Sequence, residues 1–168
     1  EVAEVTGDIP TKDQVNAMSS KQIVENIKVG WNLGNSLDSH DTNSSDTETG
    51  WGNPKTTQQM IDTVKAAGFN AVRIPVTWGE HMSADCTIDA AWMSRVKEVV
   101  DYAYNDGLYV ILNVHHDDAL WLVPTKDKLE SDKATLTTIW KQICATFQDY
   151  DHRLIFEGMN EPRVIGSA

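Results

Sequence analysis

From Gln58 onward the chain repeats one unit: a helical stretch with an apolar stripe, a turn, then a short apolar run. That alternation is the signature of βα units with a parallel sheet, and it constrains the fold more than any other feature. The first helix follows Thr56 and Thr57 as candidate caps. It places Met60, Ile61, Val64 and Ala67 on one face before Gly68 ends it, and the strand Ala71-Val-Arg-Ile-Pro75 follows. The second begins near Asp89, carries Trp92, Val96, Val99, Val100 and Ala103 on one stripe, and closes at Asp106-Gly107 before the strand Tyr109-Val-Ile-Leu-Asn-Val114. A third, capped around Ser131 or Asp132, turns Leu136, Ile139, Trp140, Ile143, Cys144 and Phe147 inward and leads through Tyr150-Asp-His-Arg153 to Leu154-Ile-Phe156. Ahead of these lie a helical segment around Ser20 to Asn26 and a run Ile27-Lys-Val-Gly-Trp-Asn32 that reads as a strand, making four parallel strands. The intervening stretch SHDTNSSDTETGWGN, ending at Asn53, is dominated by turn formers and reads as a long βα loop.

The 168 residues suit one domain, and 40% apolar residues suffice for a core. Twenty-five acidic against fourteen basic side chains leave a formal charge of -11, which would repel a phosphate backbone, so nucleic acid is excluded as a partner. The apolar run Leu108-Tyr-Val-Ile-Leu112 is far too short to cross a bilayer, so no membrane span is expected. The N-terminal EVAEVTGDIPTKD lacks a charged start and an apolar h-region, so either export is absent or a signal peptide lies outside this numbering. Cys86 and Cys144 match no metal spacing and are too few for a disulfide framework; free structural thiols are expected.

Strands with helices between them build either a doubly wound sheet or part of a (β/α)8 barrel. The sole glycine-rich candidate for a nucleotide turn, Gly30-Trp-Asn-Leu-Gly34, leads into the polar loop rather than a helix. Every expected strand instead ends in polar or aromatic residues: Asn32 and Asn35, Arg73, His115-His116-Asp117, and Asn160-Glu161. Functional groups at the C-terminal ends of several parallel strands are what a barrel active site requires. Pro162 restricts Glu161 to extended backbone, holding a carboxylate at a strand end. Glu157, four residues earlier, reads as a deeper partner on the same face, and Arg73 as a cation paired to Glu157 or Glu161. Adjacent histidines on a strand point to opposite faces and no third ligand stands at a usual spacing, so no metal is expected at His115 and His116. Asp117 and Asp118 read first as loop or cap residues.

Taken together, Gly30-Trp-Asn-Leu-Gly-Asn35, Glu48-Thr-Gly-Trp-Gly-Asn-Pro54, Val72-Arg-Ile-Pro-Val76, Val110-Ile-Leu-Asn-Val-His-His116 and Phe156-Glu-Gly-Met-Asn-Glu-Pro162 resemble the bacterial endoglucanases of glycoside hydrolase family 5. The resemblance runs from about Val15 to Arg163 and is to the clostridial and rumen branch acting on β-1,4-glucans, mixed-linkage glucan, xyloglucan and sometimes xylan. It implies a secreted, retaining (β/α)8 hydrolase without a cofactor. Glu161 would be the general acid/base, Asn160 would bind the hydroxyl beside the cleaved bond, Arg73 would support the carboxylates and His115 would contact the sugar. Asn32, Trp31, Trp51 and His116 would line the cleft, where indole faces suit the C–H patch of a pyranose.

The family's nucleophile is a second glutamate after a seventh strand, and this sequence presents no counterpart to it. Residues 1–168 therefore read as a half-barrel, an N-terminal segment over 1–26 and then four βα units, with two open sheet edges where a complete barrel takes about 250 residues. Completion by a second copy is expected, or else by a missing C-terminal half. In a homodimer, Asp117 or Asp118 of one chain would face Glu161 of the other as a substitute carboxylate. Two functions follow: hydrolysis of β-1,4-glycosidic bonds in a completed barrel, or oligosaccharide binding and assembly without turnover.

Overall fold

The structure is a computed structural model that describes residues 9–43 and 45–163; the start of the N-terminal segment expected over 1–26 lies outside them. Two short helices come first, α1 (Lys12–Asn16) and α2 (Ser20–Asn26), each entered through a reciprocal capping box, Thr11 with Gln14 and Ser19 with Gln22. They precede β1 (Gly30–Asn32). The three repeated units then follow as α3 (Gln58–Ala66) and β2 (Ala71–Ile74), α4 (Ala90–Asn105) and β3 (Tyr109–Asn113), α5 (Leu129–Thr146) and β4 (Leu154–Glu157). Thr57 and Asp89 cap α3 and α4 by accepting from the Met60 and Trp92 amides. Gly107 sits at φ +80, a left-handed turn that only glycine enters without strain, and it redirects the chain from α4 into β3.

The four strands form one parallel sheet in sequence order, β1-β2-β3-β4. Period-two alternation gives the sheet two different faces. Val72, Ile74, Val110, Leu112 and Leu154 face the helices and join the five-residue stripe of α4 in the main core. That stripe, Trp92, Val96, Val99, Val100 and Ala103, is buried as its 3.6-residue spacing requires. On the opposite face Ala71 and Tyr109 pack with Val15 and Ile23 of α1 and α2, with Met18, Ile27 and Ile155 alongside. The helices thus close the N-terminal end of this face, while Arg73 and Ile111 pair above them and Asn113 pairs with Glu157 at the C-terminal end. β1 and β4 each have one sheet neighbour, and Phe156 of β4 is exposed.

Three local expectations differ. Helix α5 starts two residues before Ser131, and Asp132 does not cap it; its carboxylate turns back to accept from the Val123 amide at 2.8 Å. In the stripe of α5, Ile139, Ile143 and the capping Phe147 are buried and Leu136 and Trp140 pack half-buried against the same core, but Cys144 lies one position around and is exposed. The loop after β1 contains a short 3₁₀ turn, Thr47–Thr49, and is pinned rather than merely polar: Ser36, Leu37, Asp38, Ser39 and Glu48 are all buried.

Candidate active site

Parallel strands carry their C-terminal residues to one rim, and here the rim is organised by Arg73. Its guanidinium grips Glu157 in a fork, Nε to Oε2 at 2.7 Å and Nη2 to Oε1 at 2.6 Å. Of the three remaining N–H groups, one on Nη1 reaches Asn32 Oδ1 and one on Nη2 reaches Asn160 Oδ1, both at 3.1 Å. One arginine on β2 therefore ties together the ends of β1 and β4. The hydrogen bonds from Arg73 hold the Glu157 carboxyl below its usual range, and Glu157 raises Arg73 in return, so the pair stays charged. Asn113, fully buried, spans the remaining gap, donating to Glu157 Oε1 at 3.2 Å and accepting from the Val76 amide at 3.2 Å. Of the two alternatives for Arg73, pairing with Glu157 is the one found.

His115 and His116 do not point to opposite faces. β3 ends at Asn113 and a 3₁₀ turn begins at His116, so strand alternation no longer applies and the rings meet edge to face at 4.4 Å. Both approach the buried Asp38 carboxylate, at 4.0 Å for His115 and 3.7 Å for His116. Their ligand atoms and that of Asp38 all lie within 4.8 Å of one another, a convergence that residue spacing did not foretell. Burial is the main cause that lowers both imidazoles, His115 to about 4, which leaves it neutral near pH 7. Beyond His116 the wall becomes aromatic: Trp51 lies 5.5 Å from its ring and 5.1 Å from His40, and donates its indole N–H to the His40 carbonyl. Trp51 is itself exposed.

Glu161 stands at the open end of this rim, its side chain 68% exposed and paired to Arg163 at 3.0 Å. The Asn160 amide donates to the Val114 carbonyl at 2.8 Å, extending the β3–β4 ladder beyond the formal strand and fixing the backbone one residue before Glu161.

Two expected positions are elsewhere. Trp31 shares strand parity with Val72 and packs against the main core on the helix side, so it does not line the rim; Asn32, one residue on, does. Asp117 is 0% exposed and accepts from the Trp78 and Gly79 amides and the Trp121 indole, so it cannot serve as a surface carboxylate. Burial is the main cause that raises it, to about 6. A Cβ at Gly79 would come within 3.1 Å of that carboxylate and 2.7 Å of a Leu120 methyl, so a side chain there would have to displace Leu120 and crowd Asp117. Asp118 remains half-buried in the same turn.

Asp38, His40 and Asn113 were not legible as site residues. Asp38 and His40 sit in or beside a polar loop where acids and histidines are ordinary, and Asn113 is one interior residue of an apolar strand. The detectable signal for Asn113 was that very contrast, an amide within Tyr109-Val-Ile-Leu-Asn-Val114.

A family model, cellulase (glycosyl hydrolase family 5), matches residues 36–168. Endoglucanase A of Ruminococcus albus is 48% identical over 96% of the chain, which covers 45% of that protein. Among solved structures, a GH5-4 broad specificity endoglucanase from Ruminococcus champanellensis with bound cellotriose superposes with a TM-score of 0.86 at 48% identity, over 92% of this chain and 46% of that one. A GH5 xyloglucan-specific endo-β-1,4-glucanase from a metagenomic library, in complex with cellotriose, gives 0.83 at 51% identity, over 94% of this chain and 46% of that one. The chain thus spans about half the length of these relatives, and its four strands form half of a TIM barrel.

Proposed function

The chain belongs to glycosyl hydrolase family 5, and from that premise we propose that it carries the acid/base half of a retaining endo-β-1,4-glucanase site, with Glu161 as general acid/base. The observation that carries the reading is the single hydrogen-bonded unit Asn32–Arg73–Glu157–Asn160, which sets the backbone beside Glu161 at the rim where barrel chemistry occurs. Glu161 donates its proton to the glycosidic oxygen as the bond to the anomeric carbon breaks. A second carboxylate about 5–5.5 Å away attacks that carbon, and Glu161 then takes a proton from the water that releases the sugar. Asn160 and Asn32 read sugar hydroxyls, His115 and His116 line the floor, and Trp51 offers an exposed indole face to a pyranose. The polymer is a β-glucan, met by a secreted enzyme.

The second carboxylate is not found among the described rim residues. Glu157 is committed to Arg73, and Asp38 and Asp117 are buried. The open edges of β1 and β4 and an apolar cleft of about 490 Å³ beside Met159 and Pro162 favour closure by four further strands. A second copy supplies them in our reading, with Asp118 of the partner subunit brought toward Glu161, or else a C-terminal half of the same protein does. The commitment of Glu157 to Arg73 and the burial of Asp38 and Asp117 favour one other reading, in which these four strands bind oligosaccharide without cleaving it. Size-exclusion chromatography with an assay on soluble β-glucan in the same fractions separates these. Activity travelling with a species of twice 18.7 kDa is expected. An inactive species that retains cellotriose selects the binding reading, and neither activity nor retention overturns both.

A further inference from the structure

The hydrogen bonds around Asn113 fix the position of a proton on His115. The Val76 amide can only donate, and its acceptor at 3.2 Å is Asn113 Oδ1. Glu157, held as a carboxylate by Arg73, can only accept, and it takes Asn113 Nδ2 at 3.2 Å. The amide orientation is therefore set by two partners with no freedom of role. The same Nδ2 lies 2.9 Å from His115 Nδ1. An amide NH₂ has hydrogens and no lone pair to offer, so Nδ1 must present its lone pair, and the ring hydrogen belongs on Nε2.

We propose that Asn113 is a positioning residue that holds His115 as the neutral Nε2–H tautomer, so that this histidine meets a ligand as a hydrogen-bond donor. The nearest Asp38 oxygen is 4.0 Å from Nε2, beyond hydrogen-bond reach, so the N–H is available to an acceptor oxygen in the cleft. Imidazolium formation would place a hydrogen on Nδ1 against the amide hydrogens, the same sense as the depression that burial produces. The charged and titratable groups around the ring are Asp38, His116, Arg73 and Glu157. The tautomer also bears on the convergence of Asp38, His115 and His116: a cation there would need the Nε2 lone pair, which this arrangement gives to a proton. That a sugar hydroxyl is the acceptor rests on the proposed function; the tautomer does not.

Long-range ¹H–¹⁵N correlation spectra of the ¹⁵N-histidine-labelled chain test it without any turnover, with the His115 signals assigned by their loss in His115→Gln. The expected result at pH 7 is a pyridine-type Nδ1 and a pyrrole-type Nε2. A pyrrole-type Nδ1, or two averaged nitrogens, overturns the proposal. Asn113→Asp replaces the donor by an acceptor and should move the hydrogen to Nδ1, while Asn113→Ala should give averaged nitrogens. Unchanged His115 signals in a folded Asn113→Ala protein would show that the amide does not set the tautomer. Should either variant fail to fold, the wild-type spectrum still decides where the proton is.

Discussion

Two arginine–glutamate forks in this molecule have nearly the same internal geometry and opposite surroundings. Arg95 holds Glu48 through Nε and Nη2 at 2.8 Å each; Arg73 holds Glu157 at 2.7 and 2.6 Å. Around the first pair every further bond goes back into the scaffold: Arg95 donates to the Thr56 carbonyl, Glu98 and Tyr102, and Glu48 also accepts from the Thr56 amide. That pair bolts the loop after β1 and the entry to α3 onto α4, with Glu48 only 1% exposed. Around the second pair the remaining bonds go to side-chain amides at the rim, Asn32, Asn160 and Asn113, and the Glu157 side chain is 30% exposed. The fork alone does not tell a structural pair from a site-forming one. What differs is where the leftover donors and acceptors lead: to Thr56, Glu98 and Tyr102 at the entry to α3 and along α4 for the first pair, and to side-chain amides gathered at the rim for the second.

The largest effect should come from breaking the bolt. Burial pushes the Glu48 carboxyl up, but the hydrogen bonds from Arg95 and Thr56 outweigh it and hold it below its usual value. Removing it leaves a mostly buried guanidinium with only the exposed Glu98 as counter-charge and leaves the Thr56 amide without its acceptor, so Glu48→Ala should cost about 3 kcal/mol in urea unfolding. A loss below about 1 kcal/mol would remove the distinction from the rim pair.

A third carboxylate sharpens the contrast, because Asp117 is buried with N–H donors but no cation. It is held up at about 6 where Glu48 is held down. A carboxyl raised in the folded state binds protons there that the unfolded chain releases, so its contribution is full below about pH 3.8 and is lost as pH rises through about 6. The stability of wild type relative to Asp117→Asn should therefore grow on acidification from pH 6 to 4, by up to about 3 kcal/mol. His115 acts oppositely in the same window, since its lowered pKa costs stability as pH falls from 6.5 toward about 4. Using the difference between the two proteins cancels that term. A pH-independent difference would contradict the burial reading of Asp117.

The smallest stability effect is expected at the rim. Arg73→Lys keeps the charge but loses the fork, and should change unfolding by no more than about 1 kcal/mol while weakening cellotriose binding or turnover at least about tenfold. Equal losses of stability and binding would mean that Arg73 is a second bolt.

Much of this was legible in the sequence for a definite reason. The β2–β4 units follow from periodicity, and the α4 stripe is buried residue for residue, because a solvent-facing helix on a parallel sheet leaves little choice of face. Pairing of Arg73 with Glu157 was one of two options that strand parity allows. What sequence could not convey depends on contacts distant along the chain. Glu48 looks like any acid in a polar loop until Arg95, 47 residues later, is placed beside it. Asp117 reads as a cap until Trp78 and Gly79 are found to surround it. Trp31 and the two histidines were misjudged because parity was unknown at the start of a three-residue strand and was extended past the end of another.

The account depends most on Glu161 acting as the acid/base of a retaining cleavage. The direct measurement is ¹H NMR of the anomeric protons released during early hydrolysis of a soluble β-1,4-glucan by the protein in the associated form proposed above, with Glu161→Gln beside it. The account predicts the β anomer first, and a rate at least about 10²-fold lower in the variant. Release of the α anomer first, undiminished cleavage by Glu161→Gln, or no cleavage by the associated wild-type protein would contradict it.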